Sequence, residues 1–171
     1  QTGEEAWQME VPNPRVWSPG APELHMLSVA LMLDGRVEVD RIVVRFGLRT
    51  LEAAGGQILL NGQAISLRGV NRHESRAFGG ITFSQEELMQ DLVLLKELGA
   101  NFVRGSHYSQ DQRWLDICDE HGILFWEETL GWQPRLEHLT DELFVFQQLG
   151  ALDETLNASM NHPSVIMWGF L

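Results

Sequence analysis

The chain has 171 residues, 44% of them hydrophobic, and a formal net charge of −12 at pH 7. That length holds one ordinary domain or parts of two, and the apolar content supports a packed core and argues against disorder. An acidic balance of this size excludes nucleic acid and anionic membrane surfaces as partners, since both attract the opposite sign, and no run is apolar enough to cross a membrane.

The first fifty residues read as strands. Leu24, Met26, Ser28, Ala30 and Met32 alternate with His25, Leu27, Val29, Leu31 and Leu33, Asp34-Gly35 supplies a turn, and Val37, Val39 and Ile42-Val43-Val44 resume the β-rich pattern. This is hairpin material suited to a small antiparallel sandwich. A second hairpin is expected from Ile58-Leu59-Leu60 through Asn61-Gly62 to Ile65-Ser66-Leu67.

The rhythm then changes. Ser84-Gln85-Glu86-Glu87 is a capping box, Leu88, Leu92, Leu95 and Leu98 follow at helical spacing, and Gly99 stops the helix. Residues 101–104 form a short strand, 109–120 a helix stopped by Gly122, and 123–126 a strand. Residues 141–159 form a third helix with Val145, Leu149, Leu152 and Leu156 on one face, and 165–168 a last strand. Cys118, the one cysteine, falls on the apolar face of the second helix, where a buried hydrophobe is expected; it permits neither an internal disulfide nor a multi-cysteine metal site. Strand–helix alternation of this kind implies parallel strands with right-handed crossovers. No glycine-rich phosphate loop follows any strand, so half of a βα barrel fits better than a nucleotide fold.

A βα barrel builds its active site at the C-terminal ends of its strands. Those ends carry Arg68 to Glu74, Arg104 to Tyr108, Glu127-Glu128 and Trp168-Gly169. Hydroxyls need polar partners and a sugar ring packs on an aromatic face, so this rim suits a carbohydrate. Each member also has a plainer role: His73 and His107 as satisfied structural histidines, Arg104 as the ion-pair partner of Glu127 or Glu128, Trp168 as core. Adjacent strand residues point to opposite faces, so only one of Glu127 and Glu128 can look into a site. Two rival readings are a carbohydrate-binding protein without catalysis and a metal-dependent hydrolase built on His73, His107 and Glu128.

Several motifs carry a family likeness. Phe46-Gly47-Leu48-Arg49, Leu60-Asn61-Gly62 and Leu67 to Glu74 resemble the entry to the catalytic barrel of glycoside hydrolase family 2, Val103 to Tyr108 that family's second-strand motif, Cys118 to Gly122 its second-helix ending and Asn161 to Trp168 the approach to its signature Asn-Glu, in order and over nearly the whole chain. The resemblance implies an α/β chain comprising about the first four strands of a TIM (β/α)8 barrel in residues 51–171, preceded in residues 1–50 by the end of an immunoglobulin-like β-sandwich. It implies a retaining exo-β-glycosidase, β-galactosides being the expected substrates and β-glucuronides or β-mannosides the alternatives. The family's acid/base Glu is expected just after Leu171 and its nucleophile on a later strand, so no catalytic residue is expected within the chain, and the chain alone is expected to be inactive. His73, Arg104 and His107 match family positions that line the sugar subsite; Asn71, Glu128 and Trp168 are further substrate-binding candidates. The large bacterial β-galactosidases have a Glu-Thr-His segment after strand three that helps hold magnesium. Glu127 to Trp132 does not reproduce it and looks closer to a β-glucuronidase loop, so no cofactor or metal is expected. The expected partner is carbohydrate, and the resemblance allows a homo-oligomeric parent.

Overall fold

A computed structural model describes residues 6–131 and 133–170. The first element is an antiparallel hairpin, β1 (His25–Leu33) and β2 (Val37–Phe46). Asp34 and Gly35 both take positive φ, and the Arg36 N–H donates to the Leu33 carbonyl at 3.0 Å. This is the primed turn whose twist matches two right-twisted strands. Met26, Leu31, Ile42 and Val43 of this pair are exposed. Among the described residues up to 50, β1 and β2 form a two-stranded sheet of their own.

The next elements depart from the expectation. A hairpin of β3 (Leu51–Ala54) and β4 (Gln57–Leu60) turns at Gly55-Gly56, and β4 pairs onward with the two-residue β5 (Gln63–Ala64) through Asn61-Gly62. The Asn61-Gly62 turn stands where the sequence places it. The returning strand ends early: the Ile65 N–H still donates to the Ile58 carbonyl at 3.0 Å, and the Ile65 and Leu67 side chains pack into an apolar floor. Trp17, Leu60, Leu124 and Ile166 are the buried members of that floor. The Trp17 indole N–H donates to the Asp119 carbonyl at 2.8 Å. The half-buried Arg49 guanidinium donates from Nε to the Pro163 carbonyl at 2.7 Å. The N-terminal segment therefore closes one end of the sheet that follows.

That sheet has four parallel strands in the order β6 (Gly69–Arg72), β7 (Phe102–Gly105), β8 (Leu124–Glu128) and β9 (Val165–Gly169). The first barrel strand lies at Gly69–Arg72, later than the 65–67 stretch suggests. Helices α1 (Gln85–Glu97) and α2 (Gln112–His121) cover one face. In α1 the capping box forms: Ser84 Oγ accepts from the Glu87 N–H at 3.3 Å and Glu87 Oε2 from the Ser84 N–H at 2.7 Å. Leu88, Leu92 and Leu95 are buried, whereas Leu98, at the C-cap, is exposed. Helix α2 starts at an Asp111 cap, and Trp114, Leu115, Ile117 and Cys118 are buried. Gly122 ends it with φ 68°, and a Cβ there would meet the Pro19 carbonyl oxygen at 2.2 Å, so the floor segment also requires glycine. Burial pushes the Cys118 thiol well above its usual pKa, which fits an inert core residue.

A one-turn helix, α3 (Leu136–Leu139), was not expected; it precedes α4 (Glu142–Ser159), which starts at an Asp141 cap as the sequence suggests. The residues α4 buries are Thr155 and Ser159. Of the anticipated stripe, Val145, Leu152 and Leu156 are half-buried and Leu149 is exposed.

Candidate sugar-binding site

Parallel register assigns each rim residue to a face. Asn71 pairs with Arg104, Arg104 with Trp126, Trp126 with Met167, and Glu128 with Gly169. These form the row that looks away from the helices. The neighbouring row contains Val103, Phe125, Glu127 and Trp168, and it faces the helical layer.

The inward row converges. Arg104 Nε donates to Glu128 Oε1 at 2.6 Å. His107 Nδ1 lies 3.2 Å from Arg104 Nη2 and 3.2 Å from Glu128 Oε2. A neutral ring protonated at Nε2 accepts from the arginine; one protonated at Nδ1 donates to the carboxylate. The Arg104 guanidinium lies over the Trp126 ring, 5.0 Å from its centroid. Arg104, His107, Trp126, Glu128, Gly131 and Gly169 line a hollow of about 220 Å3. A Cβ on Gly169 would meet Trp126 Nε1 at 2.5 Å, so glycine lets the floor of the hollow close. A second hollow, about 300 Å3, is shared by Asn71, Arg104 and Trp126. His73, exposed on the rim, sets its ring at 72° to that of His107 with centroids 5.4 Å apart. Five of the six anticipated residues, Asn71, His73, Arg104, His107 and Glu128, therefore gather on one face.

Trp168 does not join them. It packs against the helix-side cluster and does not line the hollow. The aromatic surface of the hollow is Trp126, which the sequence marks only as the end of a strand. The signal was available: Trp126 is two residues before Glu128, so it shares that residue's face.

Glu127 faces the opposite way and is 0% exposed. Its Oε1 accepts the Gln110 N–H at 3.3 Å and its Oε2 has no partner among the described residues. Desolvation, opposed by that hydrogen bond and reinforced by Glu74 and Glu128, pushes its pKa up to about 8.

Magnesium does not suit the donors present in the hollow. Its carboxylate, Glu128, is committed to Arg104, and Thr129, Leu130 and Gly131 add neither carboxylate nor imidazole. Trp132, the last residue of that segment, lies outside the described residues, as does Leu171. Asp116, Asp119 and His162 bring ligand atoms within 4.8 Å of one another on the other side of the fold. Their chemistry is already used: Asp116 pairs with Arg45, Asp119 accepts from the Ser164 N–H, and His162 Nε2 lies 3.2 Å from Gln112 Oε1.

Comparison with known proteins identifies the family of the chain. The family model "Glycosyl hydrolases family 2, TIM barrel domain" matches residues 51–170, and "Glycosyl hydrolases family 2" matches residues 1–49. A β-galactosidase of Alteromonas mediterranea is 34% identical over 94% of this chain and 16% of its own length. A putative β-glucuronidase of Formosa agariphila is 39% identical over 92% of this chain and 19% of its own. Among solved structures, the β-galacturonidase of Eisenbergiella tayi bound to galacturonate superposes with a TM-score of 0.88 at 35% identity, covering 97% of this chain and 29% of that one. The β-glucuronidase of Parabacteroides merdae gives 0.84 at 31% identity, covering 95% and 20%. The chain spans between 16% and 29% of the length of these relatives. With the barrel model covering more than two thirds of it, and four parallel strands in barrel order, the chain belongs to glycosyl hydrolases family 2.

Proposed function

We propose that the protein carrying this chain is a retaining exo-β-glycosidase acting on terminal β-galactosides by double displacement, and that this chain supplies one wall of the subsite for the terminal sugar. The observation that carries the reading is the Arg104–Glu128–His107 constellation, flanked by His73, Asn71 and Trp126. Such a wall offers charged donors and acceptors in a partly dry hollow, which is what sugar hydroxyls need. In the reaction one carboxylic acid protonates the leaving oxygen and a second carboxylate attacks the anomeric carbon, the two lying roughly 5 Å apart. Glu128, tied to Arg104, serves as a binding and orienting group rather than as either of these.

A second reading, a β-uronidase, is favoured by the solved relatives, one of which holds galacturonate. Charge within the hollow supports the neutral sugar. Glu128 already compensates Arg104, leaving no uncompensated guanidinium or ammonium among the described lining residues for a C6 carboxylate. The test is to assay the whole protein on matched aryl β-galactoside, β-glucuronide and β-galacturonide, following the anomer released first by NMR. Preferred galactoside turnover with the β-anomer first is the expected result. An α-anomer first would end the retaining mechanism, and a preference for either uronide would end the galactoside assignment.

A further inference from the structure

Beneath the two histidines lies a largely buried polar circuit outside the hollow lined by Arg104 and Glu128. The Glu74 N–H donates to the Tyr108 hydroxyl at 2.9 Å. Glu74 Oε1 accepts from the Asp111 N–H at 2.9 Å and from Arg72 Nη1 at 3.1 Å. Arg72 Nη1 also donates to Gln110 Oε1 at 2.8 Å, and Gln110 Nε2 donates to the Tyr108 carbonyl at 3.2 Å. The Arg72 guanidinium sits between two rings, 5.1 Å from the centroid of Phe83 and 4.4 Å from that of Trp114. Arg72, Glu74 and Gln110 are all buried.

The placement of this circuit is informative. Glu74 immediately follows His73 and Tyr108 immediately follows His107, so the bond from the Glu74 N–H to the Tyr108 hydroxyl staples the two rim loops one residue from each imidazole. A core that needed only stability is served as well by apolar groups of similar volume; a buried polar network adds fixed geometry. Imidazoles that bond sugar hydroxyls need that geometry, because a misplacement of about 1 Å can lose roughly a hundredfold in rate.

We propose that Tyr108, through its hydroxyl, and Glu74 are positioning residues that hold His73 and His107 in mutual register for hydrogen bonding to a bound sugar. This rests on the sugar-site assignment above. The experiment is a double-mutant cycle in the whole protein, with kcat, KM and Tm measured on an aryl β-glycoside for Tyr108→Phe, His73→Ala and the pair. Tyr108→Phe is expected to lower kcat/KM roughly tenfold, mostly in kcat, with little change in Tm. In the His73→Ala background its effect is expected to shrink to the part that acts through His107, since one of the two groups it positions is gone. Glu74→Gln, which keeps an oxygen acceptor for the Asp111 N–H, is expected to retain most of the activity that Glu74→Ala loses. Losses from Tyr108→Phe that add in full to those of His73→Ala would overturn the proposal, as would equal losses from Glu74→Gln and Glu74→Ala. Full activity in His73→Ala would instead remove the sugar-site assignment on which the proposal stands.

Discussion

Strand geometry sends the carboxyl groups of Glu127 and Glu128 in opposite directions, and their chemistry follows from that. Glu128 meets Arg104 and His107 in the hollow; Glu127 is sealed against the helical layer with its pKa raised from 4.5 to about 8. Between those values the folded chain keeps a proton that the unfolded chain has lost, so this group's contribution to stability is full below about pH 4.5 and declines until about pH 8. Replacing it with Gln removes the titration. Denaturant unfolding of wild type and Glu127→Gln between pH 5 and 8.5 should show the variant gaining relative stability as pH rises, by on the order of a few kcal/mol; parallel curves would contradict the burial argument. On the other face, His107→Ala should lower kcat/KM of the whole protein by roughly 1–3 kcal/mol in transition-state stabilisation while Tm holds, because a rim side chain leaves no core cavity. A collapse in Tm with unchanged kinetics would assign His107 to structure. The division between the two glutamates was legible from the two-residue period alone. Trp168 was not, for a physical reason: the β8–β9 register slips beside Ile166, and Ile166 and Met167 both join the floor. One inserted residue turns every later side chain to the other face, and no local pattern announces it.

Elements were readable where a backbone requirement has its own residue type. Asp34-Gly35, the Ser84 capping box and the Gly122 helix stop all stand where the sequence places them, since each satisfies orphaned N–H and C=O groups or a left-handed φ. Ser84→Ala should therefore destabilise the protein by about 1 kcal/mol, measured as a lowered midpoint of denaturant unfolding with an unchanged slope, and Ser84→Asp should restore it. Equal midpoints for wild type and Ser84→Ala would show that the box adds nothing beyond the packing of Leu88, Leu92 and Leu95. Tertiary context decided the rest. Leu51 to Ala54 reads as an undistinguished run until Gly55-Gly56 folds it onto Gln57 to Leu60. The return strand after Asn61-Gly62 pairs only as far as Ile65, and the floor beneath the sheet takes the side chains of Ile65 and Leu67. In α4 the helical period is clear, yet the residues it buries are Thr155 and Ser159, whose hydroxyls meet Ser109 and Gln112; a search for leucines misses them.

At the scale of the molecule, a half-barrel carries an ordered rim because its other end is closed. Trp17, fully buried, ties the N-terminal segment to α2, and Arg49 ties it to the start of β9, so the strands are fixed from below while their C-terminal ends present Asn71, Arg104 and Glu128. Trp17 does not stand out in the sequence, because a lone tryptophan between Asn13-Pro14 and Ser18-Pro19 has no periodic context; only the fold brings it beneath β8 and β9. A fixed rim is still not a reaction centre. Retention needs an acid and a nucleophile facing one anomeric carbon, about 5 Å apart. Among the described residues lining the hollow there is one carboxylate, Glu128, and Arg104 holds both its charge and its orientation. Glu127 is turned to the helical layer, and Glu74 is spent on Arg72 and the first turn of α2. The 171-residue chain by itself should therefore bind sugar weakly and turn over no aryl β-glycoside, whatever the whole protein does. Purified chain and a Glu128→Gln variant, assayed side by side with the whole protein, test this. Release of the aryl alcohol by the chain at a rate that the Glu128→Gln substitution abolishes would place a catalytic carboxylate inside this half-barrel and refute the assignment of Glu128 to binding.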